Sequence, residues 1–225
     1  MASILYPKHP VRLIFFRHGQ TDWNASGRIQ GHLDVPLNDV GRAQAGRLLE
    51  PLRRWGVDSF LSSDLSRASE TAEIAAAETG IPVAKDPGLR EIFLGKLQGL
   101  TRDEIAAAYG DEFSTRLRHE PLTDEDIVAL GSESTEQVMA RVFGALQRFL
   151  AANPGALTVG VCTHGGVIRR VIQSTLPKNV FPPPTPNTVL YPFEWTGDLH
   201  DADSSSAEQG RPSFVRLIHQ SPWQF

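Results

Sequence analysis

Two histidines, two arginines and one carboxylate stand where a chain could gather them into a single reactive cluster. Arg17-His18-Gly19 ends one apolar run, Thr163-His164-Gly165-Gly166 ends another, and Arg67 follows Ser62-Ser63-Asp64 at the end of a third. Glu91 lies in Leu89-Arg90-Glu91-Ile92, just beyond a short strand-like segment. These residue types suit phosphoryl transfer. The transferring group spreads negative charge over three equatorial oxygens. Guanidinium groups match it because they are planar, always charged and bidentate. Glycine turns let backbone N–H groups approach the oxygens, and helix starts add a positive field. A neutral imidazole can attack phosphorus, and nearby arginines disfavour its protonated form. Glu91 would supply the leaving alcohol with a proton, provided burial or the bound dianion keeps that proton in place.

Singly, each of these residues has an ordinary structural reading. A lone histidine at a strand end is commonly a hydrogen-bonded structural residue. A lone helix arginine is usually a solvated charge, and glycines can simply mark tight turns. Their coincidence at matching strand ends is what favours chemistry. A metal site fits less well: His18 and His164 have no third or fourth ligand pattern and no HExxH helix, and Cys162 is the only cysteine. Ser62, Ser63 and Ser134 lack the GxSxG elbow of a serine nucleophile. His32 and His119 could approach the site from loops.

The elements that must position these groups alternate between strand and helix patterns. Val11 to Arg17, Asp58 to Ser62, Ile81 to Lys85 and Ala156 to Thr163 are short, mostly apolar runs of the kind buried in parallel sheets. Helical periodicity covers 41–55, 66–79, 101–109, 134–152 and 167–176. Pro51 should kink or shorten the first of these. Thr101 and Glu104 have capping-box spacing, and Gly110 would end that helix. Residues 111–132 are polar and poorly periodic, as in a functional lid or inserted lobe. Residues 188–195 and 213–219 are β-rich and could pair, with an acidic, serine-rich stretch at 198–210 between them. The alternation predicts one domain over 1–225: a three-layer α/β/α sandwich with a mostly parallel central sheet. A small inserted helical or loop lobe would lie near 101–133 and a C-terminal strand pair near 187–219. In such sheets ligands bind outside the carboxyl ends of the strands, where the cluster falls.

Composition bounds the remaining choices. The chain has 225 residues and a formal net charge of −4, with 40% apolar and 21% charged residues. That mixture predicts an ordinary globular protein, and the acidic balance argues against non-specific nucleic-acid binding. A small anion could still be held by local arginines. One cysteine excludes a disulfide within the chain, and Cys162, inside an apolar run, reads as core. No signal-peptide pattern or membrane-length apolar segment is present, so no membrane association and a cytoplasmic address are expected.

The order of these blocks resembles the histidine phosphatase superfamily, the phosphoglycerate-mutase-like fold. The resemblance runs from Arg17-His18-Gly19-Gln20-Thr21 with Trp23-Asn24, through Gln30-Gly31, Asp34-Val35-Pro36-Leu37 and Gly41-Arg42-Ala43-Gln44-Ala45. It continues through Ser62-Ser63-Asp64-Leu65-Ser66-Arg67-Ala68, Leu89-Arg90-Glu91-Ile92, Gly95, Gly99-Leu100-Thr101 and Gly131-Ser132-Glu133-Ser134. It ends at Thr163-His164-Gly165-Gly166-Val167-Ile168-Arg169. It spans roughly residues 11–195, and several ordered blocks are far more specific than one RHG triplet.

The resemblance implies roles. His18 would be the nucleophile that becomes phosphohistidine. Arg17, Arg67 and His164 would clamp the phosphate, with His164 also stabilising the transferring group. Asn24 would contact a phosphate oxygen, and Gly165 would offer its backbone N–H. Glu91 would protonate the leaving group and later activate water. Thr21, Gln30, Gly31, Arg116, Arg118 and His119 are the expected rim of the substrate pocket. No metal or organic cofactor is implied, and the partner is a small phosphorylated metabolite, with the chain a monomer or homodimer. Gln20-Thr21 departs from the more frequent Glu-Ser or Glu-Thr without touching this chemistry. The segment IFLGKLQGLTRDEI after Glu91 looks like the phosphatase pattern, and 111–132 is short for a mutase lobe. Hydrolysis is therefore favoured over a phosphoglycerate mutase activity. A regulatory or binding domain with weak catalysis is the reading of another class, disfavoured because no core residue is missing.

Overall fold

In the computed structural model, which describes residues 9–119, 122–176, 182, 184–195 and 215–217, the first apolar run becomes β1 (Val11–Arg17). After it come α1 (Asp22–Ala25), α2 (Asp39–Gly46), α3 (Leu49–Arg54), β2 (Ser59–Ser62), α4 (Ser66–Ala76) and β3 (Val83–Lys85). Helices α5 (Arg102–Tyr109), α6 (Asp111–His119), α7 (Asp124–Leu130) and α8 (Thr135–Ala152) follow, then β4 (Thr158–Thr163), α9 (Gly165–Thr175), β5 (Leu190–Trp195) and β6 (Val215–Leu217).

The strands form one six-stranded sheet in the order β3-β2-β4-β1-β5-β6. The β3-β2-β4-β1 part is parallel, while β5 and β6 run antiparallel as an appended pair. The register pairs Arg17 with Thr163 at the ends of β1 and β4. Their successors, His18 and His164, are thereby brought side by side. The acidic stretch 198–210 lies outside the described residues.

Side-chain alternation along the strands builds the layers. Leu13 and Phe15 of β1 pack with Val142 and Leu146 of α8 and Val167 and Val171 of α9 on one face. Ile14 and Phe16 pack with Leu52 of α3 and Ala68, Ala72 and Ala75 of α4 on the other. Buried on both faces, β1 and β4 need continuous apolar runs, which is how they read in the sequence. Cys162 sits in the second core, where burial pushes its thiol up and leaves it no thiolate character.

Two segments depart from expectation. The single helix expected over 41–55 is two, α2 and α3, broken at Arg47-Leu48. The Pro51 ring would clash with the carbonyl four residues back, that of Arg47, so the break falls there and Pro51 sits in the first turn of α3. Residues 111–132, read as polar and poorly periodic, are largely helical. Thr123 and Asp126 form a capping box at the start of α7, and Gly131 ends it at a φ of +67°. A separate small core of Leu97, Ile105 and Leu130, with Phe113, Leu117 and Leu122 against it, holds α5 to α7 together as a lobe. Its few apolar residues are spread over three short helices, which blurs any single period.

Candidate active site

The carboxyl ends of β1, β2 and β4 open into one cavity of about 320 Å³. Arg17, His18, Asn24, Arg67, Glu91 and Gly165 all line it, so the structure gathers six of the seven residues expected at the reacting centre. The seventh, His164, is fully buried and stands beside the cavity, its ring centroid 5.1 Å from that of His18.

His18 is held from several sides. Its N–H donates to the Thr163 carbonyl at 3.0 Å, and Asn187 Nδ2 donates to the His18 carbonyl at 2.7 Å. Its Nδ1 lies 2.7 Å from the Gly19 carbonyl oxygen. A carbonyl only accepts, so Nδ1 carries the hydrogen and Nε2 keeps its lone pair. Burial, then the Arg17 and Arg67 charges, push the His18 imidazole well below its ordinary 6.5. His164 is pushed the same way, again mainly by burial. Both rings are neutral at physiological pH. His164 Nε2 meets the Ser63 hydroxyl at 2.9 Å.

The arginines are anchored by some donors and present others. Arg17 Nη1 donates to the Thr185 carbonyl at 2.8 Å. Arg67 Nη1 and Nη2 donate to the carbonyls of Leu33 and Gly31 at 2.9 and 2.8 Å. The Gly31 backbone takes a φ of +55°, and a Cβ there would lie 2.0 Å from Gln98 Oε1. At that positive φ a side chain would be strained, which favours glycine in the turn whose carbonyl holds Arg67. Burial lowers Arg67 to about 10, which leaves it cationic at neutral pH. Among the described residues, the buried Nε atoms of Arg17 and Arg67, Nδ1 of His164 and Oε1 of Gln30 have no hydrogen-bond partner. Buried polar atoms are seldom left so, and three of these four sit on groups able to donate to an anion. An oxyanion in the cavity would satisfy them.

Glu91 is fixed by two amides. Its Oε1 accepts from Ile92 N–H at 2.9 Å and its Oε2 from Gly166 N–H at 3.1 Å. A Cβ at Gly166 would stand 2.5 Å from Glu91 Oε1, so the second glycine after His164 is what admits the carboxylate. The first-turn amides of α9, Gly165 leading, lack intrahelical acceptors and add positive field.

The segment carrying Glu91 is itself clamped, by Arg141, which no sequence motif disclosed, and by Glu133 of the quoted Gly131-Ser132-Glu133-Ser134 block. Arg141, on α8, donates to the carbonyls of Gly88, Arg90 and Glu91 at 2.8, 2.6 and 2.8 Å, and binds both oxygens of Glu133 at 2.8 Å. Glu133 in turn accepts from Phe93 N–H at 2.8 Å. His32 Nε2 lies 2.7 Å from the Glu91 carbonyl, so this histidine steadies the acid's backbone and does not line the cavity.

The expected pocket rim is only partly right. Gln30 and Gly31 line the cavity. Thr21 does not: it is fully buried, and its hydroxyl accepts Asn24 N–H at 3.1 Å to cap α1. Arg116 is turned to Asp126, with Nη2 at 2.8 and 2.9 Å from the two carboxylate oxygens, and it contributes nothing to the cavity wall. The side chains of Arg118 and His119 lie outside the described residues. Arg28, Arg169 and Thr185 line the site without having been expected there. Arg169 sits within the quoted Val167-Ile168-Arg169 block, so its signal was present. Among the described residues no group of three or more His, Cys, Asp or Glu side chains is placed to hold a metal ion, and no helix is long and apolar enough to cross a membrane.

The sequence profile of the histidine phosphatase superfamily (branch 1) matches residues 13–204. The chain belongs to this superfamily. Among relatives of the histidine phosphatase, phosphoglycerate mutase-like protein 4 of Arabidopsis thaliana is 42% identical over 74% of this chain and 72% of its own length. The metal-independent phosphoserine phosphatase of the same plant is 37% identical over 72% of this chain and 67% of its own. A mycobacterial glucosyl-3-phosphoglycerate phosphatase, solved in complex with VO3, superposes with a TM-score of 0.69 at 33% identity, covering 81% of this chain and 92% of that one. The predicted three-layer fold and the superfamily resemblance are both borne out.

Proposed function

We propose that this histidine phosphatase is a metal-independent phosphomonoester hydrolase acting through phosphohistidine on a small phosphorylated metabolite. One observation carries the covalent step: His18 is buried and neutral, with Nδ1–H donated to the Gly19 carbonyl, so its cavity-lining ring keeps the Nε2 lone pair. In the first half-reaction Nε2 attacks phosphorus, a P–N bond forms and the ester P–O bond breaks. Arg17, Arg67, Asn24 and the Gly165 N–H hold the phosphoryl oxygens, and His164 supports the transferring group from beside His18. Glu91 gives its proton to the departing alkoxide. In the second half-reaction Glu91 takes a proton from water, the oxygen attacks phosphorus, the P–N bond breaks and neutral His18 returns with free phosphate.

Hydrolysis is supported by the phosphatase-like segment after Glu91 and by relatives that are themselves named phosphatases. Phosphoglycerate mutase activity is the second reading, favoured by relatives named a phosphoglycerate mutase-like protein and a probable phosphoglycerate mutase. The test is turnover of p-nitrophenyl phosphate in excess chelator, followed by a panel of sugar phosphates, phospho-amino acids and phosphoglycerates. We expect hydrolysis without added metal, an acid-labile phosphoenzyme in rapid-quench samples, and a loss of about a thousandfold or more in kcat for His18→Ala. Near-normal kcat in that variant would reject the covalent mechanism. No turnover across the panel would reject the hydrolase reading, and interconversion of phosphoglycerates with a bisphosphoglycerate primer would establish the mutase.

A further inference from the structure

One short stretch, residues 185–188, is tied to three residues of the reacting centre. The Thr185 carbonyl accepts from Arg17 Nη1 at 2.8 Å, and Thr188 N–H donates to the Arg17 carbonyl at 3.0 Å. Asn187 Nδ2 donates to the His18 carbonyl at 2.7 Å and lies 3.5 Å from Asn24 Oδ1. None of the sequence blocks that carry the family resemblance includes this stretch.

The turn that presents Asn187 is strained. Among the described residues Thr188 is the one non-glycine residue with a positive φ, at +57°. A β-branched side chain is an outlier in that region. Such strain persists only where the surroundings over-determine it, and it clusters at active sites. Here the Thr188 N–H is held by Arg17, its hydroxyl donates to the Asn187 carbonyl at 2.8 Å, and Leu190 pairs with Phe16 at the start of β5.

Asn187 bears on which way the Asn24 amide points. Asn24 Oδ1 accepts from Thr21 N–H at 3.2 Å, within the capping box of α1, and meets Asn187 Nδ2 from a separate element. Both neighbours are donors, so oxygen is the end they hold. Nδ2 is the end left for the cavity that Asn24 lines. Reversed, the amide would set N–H against N–H and turn an oxygen lone pair towards the phosphate.

We propose that Asn187 is a positioning residue for phosphoryl transfer: anchored on the His18 carbonyl, it holds Asn24 with its N–H end towards the transferring group. The inference rests on the proposed function, in which Asn24 contacts a phosphoryl oxygen. Asn187 touches no reacting atom. One of its amide hydrogens serves the backbone of the nucleophile and the other serves the clamp, so a single side chain sets the two relative to each other.

A double-mutant cycle on the full chain tests this, read by kcat/KM on p-nitrophenyl phosphate and by inhibition with orthovanadate, a mimic of the five-coordinate transferring group. Asn24→Ala should lower kcat/KM and weaken orthovanadate by about tenfold to a hundredfold, as expected for one lost oxyanion donor. Asn187→Ala should lower both by about tenfold. Asn187→Asp keeps the shape but sets a carboxylate beside Asn24 Oδ1, which draws the Asn24 N–H end away from the phosphate, so it should cost more than alanine. In the Asn24→Ala background, Asn187→Ala should cost less than about threefold, because the group it acts through is gone. Equal losses in the two backgrounds, or no loss in the native one, would overturn the proposal. So would failure of both Asn187 variants to fold by far-ultraviolet circular dichroism, which would assign the side chain to the fold alone. An Asn24→Ala variant of native kcat/KM would instead remove Asn24 from the phosphate clamp, and the reading of the site on which the proposal rests would fail first.

Discussion

At the scale of single residues, the site divides its labour between a nucleophile that must be neutral and an acid that must be aimed. His18 gains neutrality from burial and flanking cations, and gains orientation from the Gly19 carbonyl. Glu91 is aimed by the amides of Ile92 and Gly166. Replacing Glu91 with glutamine keeps the size and removes the transferable proton. We expect a loss of about 10²–10⁴ in kcat on alkyl phosphates, whose leaving groups need an acid, and a much smaller loss on p-nitrophenyl phosphate. A leaving-group series on both proteins checks this, and equal losses across the series would remove Glu91 from the acid role. His18 and His164 were legible in the sequence because each follows an apolar run and precedes a glycine, and Arg67 because it closely follows the serine pair at the end of another; Glu91 lies just beyond a short strand-like segment, and Asn24 was signalled by the family resemblance alone. The rim was not legible in the same way. Thr21 and Arg116 carry suitable chemistry but are consumed by a helix cap and by Asp126. Whether a polar side chain faces a cavity or a neighbouring carboxylate is decided by contacts that leave no local pattern.

At the scale of elements, strands supply the reactive residues and helices hold them still. The Arg141 clamp is the clearest case. One guanidinium on α8 bonds three carbonyls, of Gly88, Arg90 and Glu91, in the short segment that carries the acid, across a sequence separation of 50 to 53 residues. Nothing in the periodicity of α8 marks Arg141 as more than a residue flanking the buried stripe of Val138 and Val142. Arg141 touches no reacting atom and acts as a positioning residue. Arg141→Gln should therefore lower kcat by about tenfold to a hundredfold while leaving KM within about twofold, by misplacing the acid and not the phosphate clamp. It should also reproduce the leaving-group dependence of the Glu91 variant. A uniform rise in KM with kcat preserved would show instead that Arg141 shapes binding. The lobe helices α6 and α7 were misread for the reason given by their packing: among their described side chains Leu130 alone is buried, so they show too little stripe to register.

At the scale of the whole molecule, the two buried histidines link folding to pH. In the folded chain His18 and His164 resist protonation, mainly because burial removes water from the charged form. In the unfolded chain each takes up a proton near pH 6.5. The unfolded state thus binds more protons as acid is added, and the stability present above that pH is lost below it. Each histidine contributes a slope of about 1.4 kcal/mol per pH unit between its unfolded and folded pKa. Urea unfolding midpoints should fall steadily from pH 6.5 towards 5, and His164→Asn should flatten that fall by about one proton's worth. An unchanged slope in the variant would mean that His164 is solvated in solution. The general architecture was legible at this scale because alternating strand and helix periods admit few arrangements. The antiparallel placement of β5 beside β1 was not, since periodicity is indifferent to strand direction.

The pairing of Arg17 with Thr163 has a kinetic side. Strands β1 and β4 are neighbours in the sheet but far apart in the chain, with every described helix except α9 between them. No local hairpin or early helix can assemble the reacting centre, because its two histidines meet only when that long loop closes. Recovery of catalysis during refolding will therefore lag behind recovery of helix signal and follow the docking of β4 onto β1. A chain truncated before residue 158 can gain helices but not a phosphoryl site, so turnover serves as a readout of completed topology.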